Sequence, residues 1–392
     1  MNDTMTREAA VLMQTYARIP VTIVSGEGSW LVGDDGTRYL DCLTGLAVVS
    51  VGHANRAVAA AVDAQMRTLV HTSNLFTTTP MVELAERLVD LSGLDRVFFA
   101  NCGATANEAA IKLARRWGQS RRGEACHRIV TLDGSFHGRT LATLAATGQP
   151  DKQAVFPPLP SGFVQVPGGD LDALDAVVDA DTAAVMLETI QGEGGVVPLG
   201  ADYLQVVRAM CDERDVLMVV DDIQAGIGRT GSWCSWQELG FRPDVATFAK
   251  ALANGLPIGA CLATEEAAAF RPGDHATTFG GGPVVCAAAL AVLDEIESRD
   301  LLAACRERSR RLVEGLSDLP GVSSVRGRGL LLAAVLDEPI ASDVVGEALD
   351  HGLIVNAVRP DAVRFAPPLT IDADETEEAL SRFAAALAGV RG

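Results

Sequence analysis

Short, unbroken apolar runs recur through the middle of the chain, at residues 96–100, 129–132, 184–187, 217–220, 246–248 and 259–263. Stretches with helical spacing separate them. Runs this short that are apolar at nearly every position, not at alternate ones, predict strands of a parallel sheet covered by helices on both faces. Ahead of them, "SWLVGDDGTRYLDCL" places two strand-like runs around Asp34, Asp35 and Gly36 and predicts a hairpin, followed by a helix over 57–69. Pro283 opens a long helical stretch that runs to Ser298. The texture then changes: "GLLLAAVLD", "GLIVNAV" and "AVRFAPPLTI" read as strands, interleaved with helices over 342–350 and 375–387. Asp374 with Glu377 has the spacing of a capping box for the last helix. The predicted fold is α/β. Residues 56–290 form a large domain with a mostly parallel central sheet, residues 291–392 a smaller α+β domain, and residues 1–55 a segment that packs with the smaller one.

Composition narrows the function classes. The 392 residues suffice for two domains, and 48% are apolar, which excludes a disordered chain. The formal net charge of −19 argues against general binding to nucleic acid. The longest apolar stretches, 284–293 and 330–336, are too short to span a bilayer. "MNDTMTREAAVLMQ" lacks the long apolar core of a secretory signal, so the expected compartment is the cytoplasm. Eight scattered cysteines without a CxxC pair predict buried thiols in a reducing environment, with Cys102 alone near the chemistry; no spacing of His, Cys and Asp reads as a metal site.

Polar residues interrupt the ends of the apolar runs, where ligands bind in open α/β sheets. "ATFAKALANGLPIGA" ends a strand in Lys250 with no acid beside it. A single lysine in such a place commonly snorkels to solvent. The alternative is a desolvated, neutral amine that attacks an aldehyde. "VLMVVDDIQAGIG" ends in Asp221 and Asp222, either of which could serve as a helix cap or surface acid. "FFANCGATANEAA" runs from strand through Gly103 and Ala104 into a helix whose first N–H groups suit a phosphate. "GSFHGRT" supplies Phe136 and Arg139, with His137 read as structural; "LETIQGEGG" supplies Glu188 and Glu193. A lysine, a buried-type aspartate, a flat aromatic, a phosphate-sized turn and an arginine together meet the needs of one cofactor, pyridoxal 5'-phosphate: an amine for its aldehyde, an anion for its ring nitrogen, a stacking partner and N–H donors.

These blocks, with "HTSNLF", "HATTFGGGP", "VRGRGL" and "VRFAPPLTI", occur in an order that resembles the class III aminotransferases, pyridoxal-phosphate enzymes of fold type I, from near one end of the chain to the other. The resemblance is nearest to the acetylornithine branch. It implies transfer of the ω-amino group of N2-acetylornithine to 2-oxoglutarate, giving a semialdehyde and glutamate within arginine biosynthesis. It further implies that Lys250 carries the cofactor's aldehyde, that Asp221 pairs with the ring nitrogen, that Gln224 lies near the ring's phenolic oxygen, and that Phe136 stacks on the ring. Gly103 and Ala104 would bind the phosphate. In a homodimer with shared sites, Thr278 would reach the partner's cofactor and Thr277 its substrate. Arg139 would take the substrate α-carboxylate, and Glu193 with Arg364 would form a pair that opens for glutamate and closes for the ω-amine.

Several positions depart from what the resemblance leads one to expect. Thr105 stands in place of Glu, Cys102 of Ser, Thr189 of Pro, Asp222 of Glu and Gly282 of Asn. Rival donors are ornithine, diaminobutyrate, lysine and 4-aminobutyrate. Ornithine enzymes of the family tend to have Tyr where Thr77 follows Phe76. An aminomutase acting on glutamate 1-semialdehyde needs no pair such as Glu193 and Arg364. A non-catalytic binding protein of the same fold would have no use for both Lys250 and Asp221, and a plain nucleotide-binding fold would show GxGxxG after a strand.

Overall fold

The computed structural model describes residues 3–392. Its centre is a seven-stranded sheet in the order Arg96–Ala100, Gly259–Ala263, Val245–Phe248, Leu217–Asp221, Thr182–Leu187, Arg128–Leu132, Phe163–Val166. Every pairing is parallel except those of Gly259–Ala263, which runs against both neighbours. Four of the central strands are buried at every residue. Their side chains alternate between two cores. Val185 and Leu187 enter one cluster, Ala184 and Met186 the other, on the opposite face. This two-sided burial is why the strands are continuous apolar runs.

The 20-residue helix Gly103–Arg122 covers one face, burying Ile111, Leu113 and Trp117. Pro283–Ser298 packs Cys286, Val292, Leu293 and Ile296 into the other core. The edge strand Phe163–Val166 was not evident in the apolar pattern; most of it is only half-buried and it contains Gln165.

An antiparallel four-stranded sheet follows late in the chain, in the order Val322–Arg328, Leu331–Leu336, Ala362–Phe365, Asn356–Arg359. The predicted hairpin is present as Trp30–Gly33 and Arg38–Asp41, and Leu353–Ile354 adds to it in parallel. The last helix, Ala373–Arg391, corrects one expectation. Its capping box is Asp372 with Glu375, two residues before the predicted pair. The chain is still extended at Asp372 (φ −92°, ψ −176°), so Asp374 already lies in the first helical turn. Glu375 also accepts hydrogen bonds from Ser29 Oγ (2.8 Å) and Trp30 Nε1 (2.9 Å), tying the last helix to the N-terminal hairpin. No helix among the described residues is long and apolar enough to cross a membrane.

Candidate active site

The carboxyl ends of the central strands open on a cleft of about 360 Å³. Lys250, Asp221, Phe136, Arg139 and Glu193 line it, together with Gly103 and Ala104. Sequence reasoning had selected all seven.

Lys250 begins a short 3₁₀ turn directly after strand Val245–Phe248 and Ala249. Its φ of +35° is a strained value for a residue with a side chain, a cost that folds tolerate where a group must be aimed. Among the described residues no acceptor takes a hydrogen bond from its amine. Burial lowers the Lys250 pKa; Glu193 opposes the shift and Arg364 adds to it. The site therefore shifts the amine toward its neutral form.

Asp221 is 4% exposed and held on three sides. Its Oδ2 accepts from Asn107 Nδ2 (2.7 Å) and lies 2.8 Å from His137 Nδ1, and its Oδ1 accepts from the Ile223 N–H (3.2 Å). Asn107 is fixed in turn: its Oδ1 accepts from Thr247 Oγ1 (2.7 Å) and its Nδ2 also donates to the His137 carbonyl (2.7 Å). His137 is 2% exposed. Burial works against its charge, but the hydrogen bond and charge of Asp221 outweigh that and raise the His137 pKa. His137 Nδ1 partners Asp221 in a pocket closed to water. His137 thus acts through Asp221, a link that sequence reading did not find. Nearby, burial pushes Glu188 up to about 7, against the charge of His137, and Oε2 of Glu188 accepts from the Phe136 N–H (3.0 Å).

The turn before helix Gly103–Arg122 has a specific local economy. Oγ1 of Thr105 accepts the N–H groups of Asn101 (3.0 Å) and Cys102 (2.9 Å). A short Thr therefore does the capping work of a Glu. Gly103 and Ala104 are the first helical residues, so their N–H groups have no acceptor within the helix, and both residues line the cleft. A Cβ at Gly103 would stand 3.0 Å from Ile223, so glycine keeps this approach open.

Opposite Lys250 is an ion pair. Arg364 Nη1 lies 2.6 Å from Glu193 Oε1. Arg364 is 1% exposed, and its guanidinium also donates to Gln224 Oε1 (3.2 Å), the Gly192 carbonyl (3.3 Å) and Asn356 Oδ1 (3.0 Å). Its Nη2 is buried without a partner among the described residues. Burial would raise the Glu193 pKa, yet the charge and hydrogen bond of Arg364 prevail and lower it. Gln224 also reaches Glu193, at 3.4 Å. Asn356 was not foreseen; it is the cross-strand partner of Arg364.

Thr277 and Thr278 are not brought to this cleft. Thr277 Oγ1 donates to Asn101 Oδ1 (3.2 Å) in a neighbouring groove, and Thr278 is exposed there. Of the departing positions, Thr189 Oγ1 donates to Ser235 Oγ (2.6 Å), Asp222 accepts from the Ser235 N–H (3.0 Å), and Gly282 caps helix Pro283–Ser298. Burial pushes Asp222 up to about 7, and its Oδ1 has no partner among the described residues. Seven cysteines are buried and Cys102 is exposed.

Lys250, Asp221 and the N-terminus of helix Gly103–Arg122 thus share one cleft. The chain belongs to the class-III aminotransferase family, whose model matches residues 11–387. It is 49% identical over 375 residues to the acetylornithine aminotransferase of Gloeobacter violaceus, covering 94% of each chain. Among solved structures it resembles the N-acetylornithine aminotransferase of Stenotrophomonas maltophilia K279a, with TM-score 0.85, 36% identity and 99% of each chain covered. It also resembles the ornithine aminotransferase of Toxoplasma gondii, which has pyridoxal phosphate in partial occupancy at its active site (TM-score 0.95, 30% identity, 99% of this chain and 94% of that one).

Proposed function

We propose that the chain is a pyridoxal-phosphate-dependent aminotransferase that moves the ω-amino group of N2-acetylornithine to 2-oxoglutarate. The observation that carries this reading is the meeting in one cleft of Lys250, caged Asp221, Arg139 and Glu193, which is itself paired with Arg364. Relatives named for acetylornithine at nearly half identity over almost the whole chain support the choice of donor.

The residues fit the cofactor. The free N–H groups of Gly103 and Ala104 would hold its phosphate, Phe136 its ring face, Gln224 the edge bearing the phenolic oxygen, Asp221 the proton on the ring nitrogen, and Lys250 the aldehyde. Pyridoxal phosphate, when bound, supplies a carbonyl that takes up the amino group and a ring that draws off the electron pair left on the substrate carbon. The chain's own groups do the rest. Nζ of Lys250, whose hold on its proton is weakened by burial, removes the proton from the carbon bearing the amine and returns one in the second half of the cycle. Arg139 orients the substrate by its α-carboxylate. While the ω-amine is bound, Glu193 neutralises Arg364; 2-oxoglutarate brings a second carboxylate, which takes the guanidinium from Glu193. Carboxylate–arginine pairing can be bidentate and charge-assisted, so this exchange separates the two substrates.

In this reading residues 56–290 hold the cofactor, while residues 291–392, packed with residues 1–55, supply Arg364. The enzyme works in the cytoplasm as a homodimer, in which Thr277 and Thr278 serve the partner's site. Exposed Leu75 (87%), Phe76 (65%) and Phe279 (66%) near those threonines support a covered face there. The test is a donor screen that reads glutamate formed from 2-oxoglutarate. N2-Acetylornithine should give the highest kcat/KM among itself, ornithine, lysine, 4-aminobutyrate and diaminobutyrate. A higher value for any of the others would overturn the choice of donor.

A further inference from the structure

The chain contains three lysines, Lys112, Lys152 and Lys250, among 32 basic residues, so arginine is its default cation. Lys152 is placed with care for a residue without an assigned task. It lies in the short helix Pro150–Gln153, which buries no side chain and so is not held by packing. Two glutamines pin it instead. Gln153 Nε2 donates to the carbonyls of Thr147 (2.6 Å), Leu144 (3.2 Å) and Ala145 (3.3 Å), and Gln149 Nε2 to that of Ser135 (3.1 Å), the residue before Phe136. The helix is thereby fixed to the segment that carries Phe136 and Arg139.

The result is two cations at one ring. Arg139 Cζ is 5.5 Å from the Phe136 centroid and Lys152 Nζ is 5.9 Å from it. Neither makes an ion pair among the described residues, although the chain has 51 acidic ones. Lys152 is half-buried. Burial and then repulsion by Arg139 lower its pKa, while Glu193 and Asp151 oppose the shift. The aromatic face offsets part of this cost. The remainder is relieved when an anion arrives.

We propose that Lys152, beside the cleft-lining Phe136 and Arg139, is a second carboxylate-binding cation, acting with Arg139 on the substrate carboxylate remote from the reacting amine. It selects amino acids and keto acids over plain amines. The proposal rests on the reading of Arg139 given above. A lone guanidinium at an exposed rim binds a carboxylate weakly; a fixed ammonium beside it adds attraction and discriminates against ligands that bring no charge.

The test uses the holoenzyme and glutarate, a dicarboxylate with neither amine nor keto group, titrated by calorimetry at low salt. Lys152→Met should bind glutarate about two- to fivefold more weakly, the range for a partly exposed ion pair. Lys152→Arg should keep most of the affinity, and the deficit of Lys152→Met should shrink in high salt. In the first half-reaction, read by single-turnover spectra, the rate with N2-acetylornithine relative to a plain alkylamine should fall in Lys152→Met. If Arg139→Gln weakens glutarate and Lys152→Met does not, Lys152 has no such role and the reading of Arg139 stands. If neither variant changes the affinity, the reading of Arg139 fails and the proposal falls with it.

Discussion

Replacing Glu193 by Gln should convert a gated site into one open to dicarboxylates. The change keeps shape and removes charge. Breaking a fully buried ion pair from one side costs about 3–5 kcal/mol, and breaking an exposed one costs about 0.2–1 kcal/mol. Here Arg364 is 1% exposed by side chain and Glu193 28%. Arg364 also keeps neutral acceptors on Asn356, Gln224 and Gly192. A loss of about 1–2 kcal/mol lies between the limits. That energy no longer has to be overcome when a second carboxylate claims Arg364, so reactivity with glutamate relative to the ω-amine should rise roughly five- to thirtyfold. Single-turnover spectra of the cofactor measure each half-reaction separately. The same pair should also contribute to stability. The folded Glu193 pKa lies below its ordinary 4.5, so the contribution is full above that value and is lost as the pH falls through the depressed one. An unchanged ratio of glutamate to ω-amine reactivity would refute the gate and leave Glu193 as a structural part of its glycine-rich loop.

Asp222 yields a pH prediction of opposite sign. Its folded pKa of about 7 exceeds the ordinary 3.8, so stability is full below 3.8 and is lost as the pH rises through about 7. A gap of about three pH units corresponds to at most roughly 4 kcal/mol, and Asp222→Asn should remove most of that slope between pH 5 and 8 in denaturant titrations; an unaltered slope would place the effect elsewhere. His137→Ala should loosen Asp221 and weaken cofactor retention about ten- to hundredfold, the range for a hydrogen bond to a buried charge, read as visible absorbance surviving dialysis. Full retention would make His137 an ordinary core residue. Lys250→Ala should leave a folded protein with no measurable turnover, and steady-state activity near that of the parent would contradict the assignment.

How much of this was legible in the sequence follows from where each constraint acts. The central strands are buried on both faces, so each shows itself as an apolar run; Phe163–Val166, at the edge, does not. The capping box was misplaced because "DADETEE" offers two registers, and only the extended backbone at Asp372 chooses between them. Lys250 and Asp221 stand out as charges that end apolar runs. His137 and Asn107 do not, because they act on Asp221 from 84 and 114 residues away, and nothing local marks the contact. Asn356 meets Arg364 through strand register, which depends on the turn between the two strands.

Lys250 is the residue proposed to hold the cofactor, and one measurement addresses it directly. The protein, loaded with pyridoxal phosphate, is reduced with borohydride, digested, and mapped by mass spectrometry. With only Lys112, Lys152 and Lys250 in the chain, the outcome is unambiguous. The expected result is a pyridoxyl-phosphate group on Lys250 in stoichiometric amount and none on the other two. Label on Lys112 or Lys152, or an unmodified Lys250 in protein that had been active before reduction, would contradict it.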